Sequence, residues 1–105
     1  MAIYAGEIVH IYNEALDYKG VSFTEDDNVT VALTIWDLDD NVIVDAEPMT
    51  YGATAGPEDE PGWLYHWASP AGEPGSYLSA VHITGSNVDS WEYLNVRLKA
   101  DKAPA

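Results

Sequence analysis

The sequence predicts an all-β fold, and three of its features lead to this class. Stretches in which apolar and polar residues alternate, rich in Val, Ile, Thr and aromatic side chains, recur along the chain, as expected for half-buried strands. Loops rich in Gly, Pro, Asp and Asn separate these stretches, and such residues favour turns. No helical periodicity lasts longer than one turn. We therefore expect six or seven strands arranged as a sandwich or a barrel.

Composition limits the classes of partner. The 105 residues suffice for one domain with a single core, and the absence of cysteine means that no disulfide supports it. Eighteen acidic and four basic residues give a net charge of -14. Because this charge repels phosphate groups, we expect neither a nucleic-acid nor a membrane partner. The N-terminus lacks the basic region of a secretory signal, so we expect synthesis in the cytosol.

Four strand candidates lie in the first half of the chain. The third candidate, residues 42–44, follows a tight turn at Asp39, Asp40 and Asn41. These residues tolerate the backbone conformations that hairpins require. The first is interrupted near Gly6 and belongs to a segment, residues 1–28, that serves either as a first strand or as a docking arm. The four candidates are residues 3–12, 29–37, 42–44 and, as a continuation of the third after Pro48 on a sheet edge, 49–52.

Three further candidates follow in the second half. Each alternates apolar and polar residues and is bounded by Gly, Pro, Asn or Asp. The last candidate ends in basic residues and leads to a short tail at 101–105. The three candidates are residues 63–69, 76–84 and 91–100.

The bend before residues 76–84 indicates how the sheets are connected. Pro74 and Gly75 form a corner, and Tyr77 opens the strand that follows. In Greek-key sandwiches a tyrosine in this place buries its ring and donates its hydroxyl to upstream backbone. Residues 1–105 are therefore predicted to form one immunoglobulin-like β-sandwich of about seven strands with Greek-key connections. The main alternative is a small barrel.

The order of these stretches resembles a known group of proteins. "VTVALTIWDLDDNVIVD", "GWLYHWASPAGEPGSYLSAVHITG" and "SWEYLNVRLKA", which span roughly residues 29–100, are similar to small immunoglobulin-like proteins encoded among the structural genes of tailed bacteriophages, especially those of actinobacteria. The resemblance implies a virion accessory protein that is assembled in the bacterial cytoplasm. It would decorate the capsid, or attach at the neck or tail, and would bind major capsid, neck or tail proteins and further copies of itself. It brings no catalytic residues and no cofactor.

The acidic loops do not form a complete calcium motif. Asp37, Asp39 and Asn41 open a sequence like that of an EF-hand loop, which requires Gly at its sixth position and an acidic residue at its twelfth. Val42 and Pro48 stand there instead. A looser calcium site in two other acid-rich loops is the alternative to solvated turns, and these loops are residues 24–28 and 57–61.

Catalytic patterns are also lacking. His10, His66 and His82 are dispersed along the chain, and neither a Gly-x-Ser-x-Gly motif nor a cysteine nucleophile is present. We therefore expect a protein that is not an enzyme and holds no metal or cofactor.

The aromatic residues are the remaining candidates for a binding surface. Trp63, Tyr65 and Trp67 share one face of a strand, and Trp36 lies opposite the apolar face of another. These rings belong either to the core or to an exposed strip that contacts another protein. An alternative function is a carbohydrate-binding or host-adhesion module that uses Trp63 and Trp67. The predicted protein interface consists of Ile3, Tyr4, Trp36, Trp63, Tyr65 and Trp67.

Overall fold

The computed structural model describes residues 3–100, and the prediction of an all-β fold is confirmed. In this range the strands are β1 (Ile8–Asn13), β2 (Thr30–Trp36), β3 (Val42–Pro48), β4 (Thr50–Gly52), β5 (Gly62–Ala68), β6 (Gly75–Gly85) and β7 (Val88–Leu98). Short 3-10 turns occupy Glu25–Asp27 and Pro57–Asp59. Among these residues no helix has the length and apolar character needed to cross a bilayer. Residues 1–2 and the predicted tail, 101–105, lie outside the described range.

The strands form two antiparallel sheets, an arrangement compatible with a β-sandwich. The three-stranded sheet has the order β1-β5-β4, and the four-stranded sheet has the order β3-β2-β6-β7. Hairpins join β2 to β3 and β6 to β7. The chain passes from one sheet to the other between β1 and β2, between β3 and β4, and between β5 and β6.

The segment before β1 extends the four-stranded sheet. The Lys99 N–H donates to the Ile3 carbonyl (2.8 Å), and the Ala5 N–H donates to the Lys99 carbonyl (2.9 Å), so residues 3–5 run parallel to the end of β7. Gly6 then adopts a φ of +90°, which glycine tolerates, and the chain turns into β1. Residues 3–13 are therefore built into the two sheets and do not form a free arm.

The core lies between the two sheets. One cluster of buried side chains draws on β1 and β5 from one sheet and on β2, β6 and β7 from the other. Leu33, Ile35 and Ile83 are 0% exposed, and burying each such side chain contributes about 1.5–3 kcal/mol. Alternation along β2 and β6 directs these residues inward, as expected for strands with one buried face.

Tyr77 lies at the start of β6 and connects that strand to the preceding corner. Its ring is 5% exposed and packs edge-on against Trp67 of the opposite sheet, with ring centroids 5.3 Å apart. Its hydroxyl donates to the Glu73 carbonyl (2.7 Å). Gly75 has a φ of +134°, which is unfavourable for residues with a Cβ. Burial, together with the negative charge of Glu73, raises the pKa of the Tyr77 phenol above its ordinary value.

The turn between β2 and β3 depends on the carboxylate of Asp37. This group accepts hydrogen bonds from the backbone N–H groups of Asp39 and Asn41 (both 2.9 Å) and from the Asn41 side-chain amide (3.0 Å). Asp40 has a φ of +63°, which aspartate tolerates in turns. The hydrogen bonds from Asn41 lower the pKa of Asp37 below its ordinary value.

Two strand boundaries differ from those that the sequence indicates. Residues 85–90 were expected to be a loop, but β7 begins at Val88, and Gly85 pairs with Val88 across a turn of two residues. The two turn residues are Ser86 and Asn87, and both residue types are common in turns. β3 extends to Pro48, beyond the predicted residue 44, and β4 then pairs with β5 at the edge of the other sheet. The hydrophobic pattern missed the start of β7 because Asp89 and Ser90 interrupt it.

Candidate functional site

Two of the predicted interface residues belong to the core. Trp63 is 7% exposed and Trp67 is 3% exposed. The Trp63 indole N–H donates to the Phe23 carbonyl (3.1 Å), which satisfies its polar atom inside the protein. Because neither ring is accessible from outside, the predicted aromatic strip on β5 is corrected to a row of core residues.

The other predicted residues have different positions. Ile3 is half-buried and packs against the core, Tyr4 is half-buried beside Lys99, and Tyr65 is half-buried on β5 next to the core. Trp36 is half-buried on the opposite side of the four-stranded sheet. The predicted set is therefore not brought together as one surface.

A different apolar surface lies on the side of the four-stranded sheet that faces away from the core. Register places Trp36 beside Leu78, and His82 beside Trp91. Trp91 and Tyr93 are 46% and 62% exposed. Since isolated exposed apolar residues are common but contiguous patches are not, this surface is the candidate binding site. We call it the outer aromatic face, and it consists of Trp36, Val42, Leu78, His82, Trp91 and Tyr93.

Four side chains define the geometry of the outer aromatic face near the β6–β7 turn. The His82 imidazole stacks on the Trp91 ring, with centroids 3.8 Å apart and planes 6° from parallel. His82 Nε2 lies 2.6 Å from Asp89 Oδ1, so that this contact orients the imidazole. The Tyr93 ring is inclined by only 15° to that of Trp91, at a centroid distance of 6.4 Å. Trp91 and Tyr93 therefore present neighbouring, nearly parallel rings.

A shallow groove lies at the other end of the outer aromatic face. It has a volume of about 390 Å³ and is lined by Trp36, Leu78 and Tyr93 together with the β2–β3 turn. Leu38 in this turn is 77% exposed, and the acidic Asp37 and Asp40 stand beside it. The groove thus combines apolar walls with a negative rim.

A larger groove, of about 580 Å³, opens at the end of the sheets where the β6–β7 turn meets the loop before β2. Phe23, Val29 and Trp91 supply apolar walls, so that Trp91 joins this groove to the outer aromatic face. Asp17 and Asp27 also line it, and both carboxylates accept backbone N–H groups of their own loops. These acids stabilise the loop that forms the groove.

The acid-rich loops considered for calcium have the hydrogen bonding of turns. Asp27 caps a 3-10 turn by accepting the Thr24 N–H (2.7 Å), and the Thr24 hydroxyl in turn accepts the Asp26 N–H (3.3 Å). The second loop forms the 3-10 turn Pro57–Asp59. Within residues 3–100, no group of three or more His, Asp or Glu side chains is arranged to hold a metal ion.

Pairings between strands bring together histidines that are far apart in sequence. His10 and His66 are opposite each other on β1 and β5, and their rings stack at 4.6 Å. His82 meets Trp91 across β6 and β7. Sequence analysis treated the three histidines as dispersed because neither register nor strand order can be read from local spacing.

Comparison of the chain with protein-family models, curated proteins and solved structures yields no match. The function proposed below is therefore supported by the chain's own residues and geometry, and by the resemblance drawn from its sequence.

Proposed function

We propose that the chain is an immunoglobulin-like domain with Greek-key connections. The order β1-β5-β4 in one sheet and β3-β2-β6-β7 in the other corresponds to strands B, E, D and C′, C, F, G of such domains. Tyr77 opens the strand that corresponds to F and bonds back to Glu73, which is the tyrosine corner of this architecture. These features favour the immunoglobulin-like fold over a closed barrel.

We further propose that this domain is a non-enzymatic structural protein of a tailed-phage particle. It docks on major capsid, neck or tail proteins, and capsid decoration is the preferred role. The outer aromatic face is the observation that carries this function, because Trp and Tyr dominate the energetically important centres of protein interfaces. The sequence resemblance supplies the virion context.

The charge distribution indicates the chemistry of the docking partner. Asp37 and Asp40 flank one end of the outer aromatic face, and Asp89 flanks the other. A partner with an apolar centre surrounded by Lys or Arg side chains would complement this arrangement. The net charge of -14 keeps unbound copies soluble before assembly.

The docking function is tested on particles made from the genome that encodes this sequence. Mass spectrometry should detect the chain in purified particles, and electron microscopy should locate it on the capsid, neck or tail. Docking through the outer aromatic face would be supported if the Trp36→Ala and Trp91→Ala variants are missing from purified particles, whereas the Ile8→Ala variant is present. Ile8 is a suitable control because it is 57% exposed on the other sheet. Absence of the wild-type chain from purified particles would contradict the proposal.

A carbohydrate-binding or adhesion function is the second candidate, and the arrangement of Trp91 and Tyr93 favours it. Their exposed, nearly parallel rings offer apolar surfaces on which sugar rings can stack. Binding on a glycan array that disappears with Trp91→Ala would support this function. A silent array would count against it.

A further inference from the structure

Two histidines lie next to each other on the outer side of the three-stranded sheet. His10 of β1 and His66 of β5 are directly opposed in an unbroken antiparallel register, and both are exposed. Their imidazole rings stack with centroids 4.6 Å apart and planes 19° from parallel. The fold therefore brings two nitrogen ligands together at a place that is separate from the outer aromatic face.

The hydrogen-bond pattern of β1 and β5 places these two side chains at the shorter of the two cross-strand distances. The Ser69 N–H donates to the Glu7 carbonyl (3.1 Å), and extending the register makes these two residues an opposed, hydrogen-bonded pair. Hydrogen-bonded and non-hydrogen-bonded pairs alternate along an antiparallel ladder. His10 is three positions beyond Glu7, so His10 and His66 form a non-hydrogen-bonded pair, in which the side chains are closer together.

Buried neighbours hold the backbone at both histidines. Val9 and Ile11, on either side of His10, are 4% and 3% exposed, and Trp67, next to His66, is 3% exposed. A slip of β1 against β5 by one residue would move these side chains out of the core, so the register is strongly specified. Ligands that are held in place before binding lose little conformational freedom when they bind.

The imidazole rings of this pair are available to a cation. Among residues 3–100 no hydrogen bond uses a ring nitrogen of His10 or His66, whereas Nε2 of His82 contacts Asp89. The neighbours in register on the same side of the sheet carry no positive charge that would repel a cation, and the net charge of -14 attracts one. These neighbours are Ile8, Tyr12, Leu64 and Ala68.

We propose that His10 and His66 chelate one divalent transition-metal ion of the class of Zn²⁺, Ni²⁺ and Cu²⁺, for which imidazole is a suitable ligand. Each histidine supplies one ring nitrogen, and water completes the coordination, as in other open sites. Two nitrogens bound to a tetrahedral Zn²⁺ at about 2.0–2.1 Å are about 3.3 Å apart. Tilting the stacked rings towards each other reaches this separation, because the Cβ atoms of opposed residues are only about 4.5–5.5 Å apart.

The bound ion links β1, at the edge of the three-stranded sheet, to β5 at its centre. An ion that binds the folded pair more tightly than the separated histidines of the unfolded chain stabilises the fold by mass action. Ca²⁺ and Mg²⁺ prefer oxygen ligands, so this site selects against them. Such an ion was not expected from the sequence, in which the two histidines are far apart. The site does not depend on the proposed virion function, since the outer aromatic face belongs to the other sheet.

Isothermal titration calorimetry with Zn²⁺, in a buffer with excess Mg²⁺ to occupy carboxylates, tests the site. His10→Ala and His66→Ala should each weaken binding by about tenfold or more, because the second ligand of a chelate acts at a high effective concentration. Circular dichroism should show both variants folded, since the two residues are exposed. His82→Ala, the matched control, should bind like the wild type. A wild-type chain that binds Zn²⁺ no more tightly than His10→Ala/His66→Ala would overturn the proposal.

NMR spectroscopy of the wild-type chain locates the ion without any substitution. Zn²⁺ should shift the imidazole signals of His10 and His66 together and leave those of His82 in place. In urea denaturation, Zn²⁺ should raise the midpoint of the wild-type chain more than that of His10→Ala/His66→Ala, whereas Mg²⁺ should affect the two chains equally. A shift confined to His82, or equal stabilisation of the two chains by Zn²⁺, would assign the ion to other groups and overturn the site.

Discussion

The two sides of the four-stranded sheet have the same backbone but different surroundings. On the inner side, Leu33 and Ile83 are 0% exposed and pack against the three-stranded sheet. On the outer side, Leu78 and Tyr93 are 36% and 62% exposed. Both sides carry large apolar side chains, yet among residues 3–100 only the inner side is covered by another sheet. The difference indicates that the inner side stabilises the fold, whereas the outer side is available for binding.

Replacing a leucine on each side tests this difference directly and should give the largest effect. Leu33→Ala removes buried methyl groups and leaves a cavity, so we expect the free energy of unfolding to fall by about 2–5 kcal/mol. Leu78→Ala removes the same atoms from a partly solvated position, and we expect a loss below about 1 kcal/mol. Urea denaturation followed by circular dichroism measures both. Equal losses would contradict the assignment of separate roles to the two sides.

Tyr77→Phe should have an intermediate effect on the inner side. The variant keeps the ring against Trp67 but loses the hydrogen bond to Glu73, so we expect a loss of about 1 kcal/mol. The raised pKa of the Tyr77 phenol adds a dependence on pH. Because the folded pKa is raised, its contribution to stability is complete below the ordinary tyrosine pKa and is lost as the pH rises through the folded value.

The free energy of unfolding of the wild-type chain and of Tyr77→Phe, measured at several alkaline pH values, checks this predicted loss of stability with rising pH. The wild-type advantage should shrink as the pH increases. An advantage that grew with pH would show that the phenol does not act as the donor.

Fluorescence quenching distinguishes the exposed tryptophan of the outer aromatic face from a tryptophan of the core. Trp91 is 46% exposed, whereas Trp67 is 3% exposed, so acrylamide should reach Trp91 far more readily. Trp91→Phe should remove much of the quenchable emission, and Trp67→Phe, the matched control, should leave it in place. Loss of the stacking contact with His82 should cost only about 0.5–1.5 kcal/mol. A similar quenchable fraction in the two variants would mean that the outer aromatic face is covered.

The smallest effect is expected at the turn that borders the outer aromatic face. Hydrogen bonds from Asn41 lower the pKa of Asp37, so this carboxylate stabilises the fold above its ordinary pKa. That contribution is lost as the pH falls through the lowered folded value. Asn41→Ala should move the Asp37 pKa back towards its ordinary value, as measured by a carbon NMR titration of the carboxyl group. An unchanged pKa in the variant would exclude the side-chain amide of Asn41 as the main cause, since the backbone N–H of residue 41 is retained.

The sequence predicted the fold class and most strands because alternation and turn residues are local signals. The alternation of Val31, Leu33 and Ile35, and the turn at Asp39–Asn41, both correspond to observed elements. Trp36 lies on the face opposite this apolar row. Its position indicated that one of the two apolar faces of this strand points outward or into a contact. These inferences need only the two-residue period of a strand.

The candidate site was predicted poorly, because it depends on strand order and register. Trp63 and Trp67 have the same alternation whether their strand faces the core or solvent, and the sequence does not say which side is covered. Trp91 and Tyr93 were placed on a strand, but their contact with β6 arises from the register of the β6–β7 hairpin.

The parallel contact between Ile3 and Lys99 has a practical consequence for engineering. It places residues 3 and 99 side by side, near the Pro74–Gly75 corner. The groove at Ser86 and Asn87 lies at the opposite end of β7. A fluorophore or affinity tag attached near either position would therefore emerge at the same pole and leave that groove unobstructed.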